Sequence, residues 1–132
     1  MTRLPEIIQT YLDAYNRKDV EVMLACLAQE VTFQNISDGV VTAETVGRAA
    51  FETLARAGAE AFRSRSQRVR HAITVADTTL VEIGYRAEVA MDLPNGWVAG
   101  QVLSFQGASA FRVQDGKIIS IIDQSDTVEG PS

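Results

Sequence analysis

The chain has 132 residues but only one cysteine, Cys26, and one histidine, His71. A single cysteine excludes an internal disulfide, and one Cys with one His cannot form a Cys/His zinc site. No apolar run approaches the about 18 residues of a membrane helix, and residues 1–6 lack the apolar segment of a secretory signal. We therefore expect a cytoplasmic protein with no metal site and no membrane partner.

Positive charge is also scarce, since 12 Lys and Arg stand against 17 Asp and Glu, for a net charge of −5. A nucleic-acid-binding domain would show a basic excess or stripe, so no nucleic-acid partner is predicted. A phosphate-binding loop is missing as well, because Gly96 and Gly100 are not followed by the Lys-Ser/Thr pair that such a loop uses. These absences leave a protein that we expect to work without a cofactor.

The residues that are present indicate one globular domain over residues 1–132, with 46% apolar and 22% charged residues. Helical spacing predicts three helices, within residues 4–15, 19–27 and 48–63. Alternation predicts strands at residues 31–35, 40–41, 67–76, 79–91, 97–106, 109–113 and 117–124, with a tight hairpin at residues 93–96. Helices followed by antiparallel strands predict an α+β fold, a cone-like curved sheet with three helices on one face and a ligand cavity at its open end.

This order of elements, with the strings YLDAYNRKD near the start and FRVQDGKI near the end, resembles the SnoaL-like branch of the nuclear transport factor 2-like superfamily. The resemblance extends over nearly the whole chain. It implies the cystatin-like cone, with an antiparallel or mixed sheet. It leaves function open, because this scaffold supports isomerases, cyclases, hydrolases, dehydratases and non-catalytic binders.

The pattern of possible active-site residues is most similar to that of the limonene epoxide hydrolase family. Phe33-Gln34-Asn35 stands where that family has Tyr-Gln-Asn, and Arg86-Ala87-Glu88 stands where it has Arg-x-Asp. Asp123 follows the final Gly-Lys-Ile strand, as the second acid of the family does. The resemblance implies that Asp123 accepts a proton from a water held by Asn35, that Glu88 protonates an epoxide, and that Arg86 positions both acids. Phe33 lacks the phenol that would help to hold the water.

Polyketide cyclases of the SnoaL-like type use one aspartate on the last strand as acid and base, and Asp123 matches it. The match to ketosteroid isomerase is poorer. Tyr11 stands at the position of its oxyanion tyrosine, but Asn35 replaces the catalytic base and cannot take a proton. The resemblance therefore implies a catalytic set of Asp123, Glu88, Arg86 and Asn35. The residues predicted to line the cavity are Phe33, Tyr11, Tyr15, His71 and Phe111.

Each of these residues also has an ordinary structural interpretation. Arg86 and Glu88 share one face of a strand, and alternation alone predicts that such a polar face is solvated. Asp123 ends an apolar strand face, where a carboxylate is costly to bury unless it is paired or functional, but a strand end can also lie in water. Asn35 suits a strand end or a turn.

The remaining candidates have structural alternatives of the same kind. Tyr11 and Tyr15 fit the apolar stripe of the first helix, and His71 fits a core or an interface.

Three functions therefore remain open for a protein that binds a mostly apolar small molecule. The first is a cofactor-free hydrolase of the epoxide hydrolase type. The second is a cyclase or isomerase that moves one proton through Asp123, and the third is a binding module without catalysis. Apolar side chains on both faces of the strands, such as Val98 and Val102 opposite Trp97 and Leu103, further predict a homodimer formed through the sheet.

Overall fold

The computed structural model describes residues 4–125, and the N-terminal residues 1–3 considered for a signal sequence lie outside that range. Three helices are formed, α1 (Glu6–Asn16), α2 (Val20–Ala25) and α3 (Arg48–Ala61). Asp19 caps α2, because its carboxylate accepts a hydrogen bond from the backbone NH of Val22 at 3.2 Å. Within the described range, no helix has the length and apolar character that spanning a bilayer requires.

Six strands form one curved, unclosed sheet in the order β2-β1-β6-β5-β4-β3. The strands are β1 (Leu27–Ser37), β2 (Val40–Val46), β3 (Phe62–Val75), β4 (Thr78–Val89), β5 (Val102–Gln114) and β6 (Lys117–Ser125). Strand β6 pairs in parallel with β1, whereas all other neighbours are antiparallel. The α+β prediction of a mixed, curved sheet with three helices is therefore confirmed.

The core lies between the helices and one face of the sheet, which we call the inner face. Alternate residues of β4 are buried there, Val81, Ile83, Ala87 and Val89 among them, while the residues between them face away. The largest fully buried side chains come from both layers: Ile8, Leu12, Met23, Leu27, Leu103, Phe111, Ile118 and Ile121. The opposite, outer face of the sheet carries no helix, so its side chains are mostly exposed.

Two predicted elements differ from the structure. The strands expected at residues 97–106 and 109–113 are one strand, β5, which begins only at Val102. Residues 90–101 form a loop that is closed at its base by hydrogen bonds between Val89 and both Gly100 and Gln101, at 2.8 and 2.9 Å. A two-residue Asn-Gly hairpin would need positive φ at both positions, but here only Gly96 has it.

Gly107, on β5, lies where the backbone of β6 approaches most closely. A Cβ at this position would come within 2.7 Å of the backbone oxygen of Gln124. We expect Gly107→Ala to lower the free energy of unfolding by about 1–3 kcal/mol, because strand β6 would have to move. Chemical denaturation measures the change. Gly84→Ala is the matched control, since its Cβ would meet no atom closer than 3.8 Å. Equal stability of the two variants would contradict the prediction.

Candidate active site

Asp123 lies on the inner face of β6, between the strands on either side of it. In the register of the sheet it pairs with Asn35 on β1 and with Ser109 on β5. The hydroxyl of Ser109, which is itself buried, donates a hydrogen bond of 2.6 Å to Oδ1 of Asp123. This arrangement follows from alternation along β6, which places Ile121 in the core and Asp123 two residues further along the same face.

The surroundings of Asp123 favour its protonated form. Burial raises the pKa of this carboxyl to about 6, and the hydrogen bond from Ser109 opposes the rise only in part. None of the ion pairs among residues 4–125 includes Asp123. A carboxyl with this pKa is mostly ionised at neutral pH but takes up a proton easily, which suits a general acid or base.

Asp123 and Ser109 form part of the wall of a cavity of about 520 Å³. Aromatic side chains form part of its other walls, Phe62 from β3, Tyr85 from β4, Phe105 from β5 and Trp97 from the loop, beside polar residues of β1, β3 and β6. The ring centroids of Tyr85 and Phe105 are 4.8 Å apart, and those of Phe62 and Trp97 are 6.3 Å apart. The cavity thus offers flat apolar walls and one titratable carboxyl, which is the pattern of a small-molecule site.

Two phenols meet in the same cavity. The hydroxyl oxygens of Tyr15, on α1, and Tyr85 are 3.0 Å apart, within hydrogen-bonding distance. Burial raises the pKa of both phenols, and the positive charge of Arg65 counteracts the rise. Tyr15 was predicted to line the cavity, and the structure places it there.

Asn35, which was predicted to belong to the catalytic set, also faces the cavity. Its side-chain nitrogen donates to the hydroxyls of Thr42 at 2.8 Å and Ser37 at 3.3 Å. Those contacts fix the amide between β1 and β2 and occupy its donor groups. Asn35 therefore lies beside Asp123 in the register of the sheet. Its hydrogen bonds give it the structural role at a strand end that was its alternative interpretation.

Arg86 and Glu88 do not join Asp123, in contrast to the arrangement that the epoxide hydrolase resemblance implied. Both lie on the outer face of β4, where Arg86 is exposed and pairs across the sheet with Ser66. Glu88 forms an ion pair of 3.3 Å with Arg63. Alternation along β4 is the physical reason, because Tyr85 and Ala87 point inward and their neighbours must point outward.

Four of the predicted lining residues lie elsewhere. His71 is on the outer face, with its side chain 78% exposed, and its Nδ1 is 2.9 Å from Oε1 of Glu82. The other three are core residues that pack away from the cavity: Tyr11, Phe33 and Phe111. The rings of Tyr11 and Phe111 are 5.9 Å apart, and Phe33 packs against Phe51 at 5.4 Å.

Several cavity residues were missed, including Tyr85, Phe62, Phe105 and Trp97. The signal for Tyr85 was present in the sequence, because Tyr85 lies on the same face of β4 as the buried residues Val81 and Ile83. The polar residues of β4 were instead assigned to the cavity on the strength of the resemblance. Trp97 was expected in a strand, and only the loop geometry turns it toward the cavity.

The site offers acid/base groups rather than a set of metal ligands. No cluster of three His, Cys, Asp or Glu side chains suited to a metal ion occurs in the part of the chain that the structure describes. Asp123 can exchange a proton, Ser109 can hold the carboxylate, and the phenol pair can donate a hydrogen bond to a polar atom of a ligand.

The raised pKa of Asp123 predicts a pH-dependent gain of stability in the Asp123→Asn variant. Because the folded-state pKa is about 6 and the usual value is about 4, stability is greatest below about pH 4 and falls as the pH rises through about 6. The neutral amide avoids this loss, so we expect the variant to be more stable by about 2–3 kcal/mol at pH 7.5.

Urea unfolding at pH 4 and pH 7.5 measures the difference between the variant and the wild type. Asp115→Asn serves as the control, since Asp115 is exposed in a turn with positive φ that asparagine also adopts. An advantage of Asp123→Asn that is the same at both pH values would contradict the assignment.

Comparison with known proteins agrees with this fold. The chain matches no curated protein, but solved structures resemble it closely. An LEH-like epoxide hydrolase from M. tuberculosis superposes with a TM-score of 0.73 at 18% identity, covering 91% of this chain and 80% of that one. A ketosteroid isomerase-like fold from Catenulispora acidiphila, in complex with trimethylamine, gives 0.74 at 15% identity, covering 92% and 85%.

A protein from Xanthomonas campestris described as a proposed polyketide cyclase superposes with a TM-score of 0.70 at 25% identity, covering 89% of this chain and 86% of that one. The first two likenesses, below 25% identity, show the fold alone. The family is shown by the sequence itself, because residues 8–121 match the SnoaL-like domain. This chain therefore belongs to the SnoaL-like domain family.

Proposed function

We propose that this protein is an acid/base enzyme of the cyclase or isomerase type, which moves a proton on a flat, mostly apolar carbonyl compound. The observation that carries the proposal is Asp123, a carboxyl with a pKa of about 6 that faces an aromatic cavity without a cationic partner. Structural ion pairs usually lower the pKa of an aspartate, whereas a raised value in a cavity is typical of catalytic carboxyls.

In the proposed step, the Asp123 carboxylate takes a proton from a carbon next to the substrate carbonyl. The electron pair of that C–H bond forms a C=C bond, and the carbonyl π electrons move to oxygen to give an enolate. The protonated Asp123 then returns its proton, either to another carbon of the same substrate or to the oxygen formed in an aldol ring closure. Ser109 keeps its hydrogen bond to the carboxylate and so holds it in place.

The cavity supports a planar substrate. Phe62, Tyr85, Trp97 and Phe105 provide ring surfaces on several sides, and about 520 Å³ is within the usual range for small-molecule sites. Aromatic rings of a ligand gain offset or edge contacts with such walls. The likeness to a protein described as a polyketide cyclase agrees with this substrate class.

The hydrolase hypothesis receives less support from the geometry. It needs a second acid to protonate the epoxide and an arginine to position both acids, and Glu88 and Arg86 are on the outer face. The phenol that would complete the water site is replaced by Phe33, which is packed in the core. A single proton shuttle through Asp123 requires none of these groups.

Hydrogen–deuterium exchange on 2-tetralone, a flat bicyclic ketone with acidic C–H bonds beside its carbonyl, tests the proposal by NMR. We expect the wild type to exchange above the buffer background and Asp123→Asn to lose at least about 100-fold of the rate, as removal of a general base does. The rate should rise with pH around a midpoint of about 6, because the ionised carboxylate is the base.

Ser109→Ala sharpens this test. Without its hydrogen bond the carboxylate is less stabilised, so the midpoint of the pH profile should move upward. Arg86→Met is the control, since Arg86 lies on the outer face. Binding of 2-tetralone with no exchange would support the binding-module alternative, and exchange that survives Asp123→Asn would show that Asp123 is not the base.

We also propose a homodimer through the outer face of the sheet. A groove of about 650 Å³ there contains the exposed side chains of Ile73 and Leu80, with His71 and Glu82 at its rim. Arg70 lies 3.7 Å from Glu82, so positive and negative groups stand side by side. A two-fold axis through the groove would place the basic side chains of one copy opposite Glu82 of the other. A second copy of this chain is therefore the partner that best fits the charges of the groove.

Light scattering at micromolar concentration tests this assembly. We expect twice the chain mass of 14.4 kDa for the wild type. Ile73→Lys should shift the protein toward the monomer, because it buries a charge in the apolar groove. Ala57→Lys, on the exposed side of α3, is the matched control and should leave the mass unchanged. A monomeric wild type would contradict the proposal.

A further inference from the structure

Arg65 is a buried cation beside the cavity. Its side chain on β3 is only 6% exposed, and its guanidinium carbon lies 3.7 Å from the ring centroid of Tyr15. Its Nε donates to the backbone oxygen of Tyr15 at 2.9 Å, and one of its terminal nitrogens is 3.8 Å from the sulfur of Met23. These contacts attach the guanidinium to the tyrosine and to the core.

No carboxylate balances this charge. Arg65 takes part in none of the ion pairs formed among residues 4–125. A buried guanidinium is normally paired, because leaving water is costly for a charge. Here its field acts on the phenols instead, where it lowers the pKa of Tyr15 and of Tyr85 against the effect of burial.

The two hydroxyl groups are arranged so that the electrostatic effect of Arg65 on the phenols reaches a ligand. The side chain of Gln67 hydrogen-bonds to the hydroxyl of Tyr15 in a way that lowers its pKa, as a donor does. The hydrogen bond between the two hydroxyls, 3.0 Å apart, lowers the pKa of Tyr15 and raises that of Tyr85, so Tyr85 donates and Tyr15 accepts. The hydroxyl hydrogen of Tyr15 is then left to point at a ligand atom. Each donor in such a chain strengthens the next.

We propose that Tyr15, supported by Tyr85 and Arg65, is a binding site for an anionic or strongly polarised oxygen of the ligand, so that the cavity selects phenols, enols and enolisable ketones. Tyr15 makes the contact with the ligand. Arg65 is a positioning residue that acts through Tyr15. The inference rests on the proposed function for its place in a reaction, since the enolate oxygen would occupy this site while Asp123 holds the proton.

The binding of 4-nitrophenol tests the site without any turnover, since its phenol and phenolate forms differ in absorption. The measurement uses the Asp123→Asn background, because an ionised Asp123 would repel the phenolate. We expect the pKa of the bound dye to be at least about one unit below that of the free dye, as a nearby cation and a donor hydroxyl produce. Arg65→Met in this background should remove most of that shift.

Arg86→Met in the same background is the matched control, since it removes an exposed arginine from the outer face and should leave the dye shift unchanged. Tyr15→Phe should weaken phenolate binding about tenfold, the effect of one lost hydrogen bond to a charged group. This variant also tests the oxygen-binding site if Arg65→Met fails to fold. Arg65→Lys should retain part of the shift, because it keeps the charge but loses the stacked geometry.

The proposal is overturned if the dye does not bind, if its bound pKa is not lowered, or if the shift is the same after Arg65→Met or Tyr15→Phe. The proposed function can fail independently. A protein that shifts the dye but exchanges no ketone hydrogen has the oxygen site without the reaction. A protein that exchanges hydrogen through Asp123 but leaves the dye unshifted has the reaction without this site.

Discussion

The parallel pairing of β6 with β1 determines where the chemistry lies. It places the last strand in the middle of the sheet, between β1 and β5, although β6 is formed from the C-terminal part of the described chain. Asp123 therefore has a strand on both sides and lies in register with Asn35 and Ser109. At the edge of the sheet the same aspartate would reach water and keep an ordinary pKa. In the centre, burial controls its proton affinity.

This position costs stability. A carboxyl whose pKa is raised by about two units destabilises the folded state by about 3 kcal/mol at neutral pH, out of a usual total of 5–15 kcal/mol. The core between the helices and the inner face compensates for the loss, since the buried side chains of α1, α2 and the central strands form one cluster there. Ser109 recovers part of the cost through its hydrogen bond, and no cation among residues 4–125 forms an ion pair with the carboxylate. Such a cost is expected where function requires a proton that moves easily.

The sequence was informative about the fold because hydrophobic periodicity depends on local neighbours. The helices were predicted from such patterns, whereas the functional candidate Asp123 was predicted mainly from the family resemblance. The faces of β4 were harder, because Arg86 and Glu88 alternate with Tyr85 and Ala87, and alternation does not say which face meets the helices. The buried valines and isoleucines on the side of Tyr85 indicated the answer.

The least predictable features depend on long-range geometry. The hydroxyls of Tyr15 and Tyr85, which are 3.0 Å apart, belong to residues 70 positions apart in sequence. Arg65, on strand β3, contacts Tyr15 on helix α1 from 50 positions away. No local pattern indicates such a meeting. Trp97 is similar, because residues 90–101 form a loop that turns its ring toward Phe62. In sequence, residues 93–96 predicted a tight turn, and residues 97–106 were predicted to form a strand.

The two ends of the cavity differ in electrical character, which bears on the type of reaction. Asp123 is the proton-accepting end, and the phenols with Arg65 behind them form the electron-accepting end. In the proposed enolisation, a proton leaves toward the first end while negative charge develops on oxygen at the second, so both ends favour the same direction of electron flow. Epoxide opening would instead require full proton transfer to oxygen. Burial raises the pKa of Tyr15, which makes it a poor proton donor for that step but leaves it able to donate a hydrogen bond.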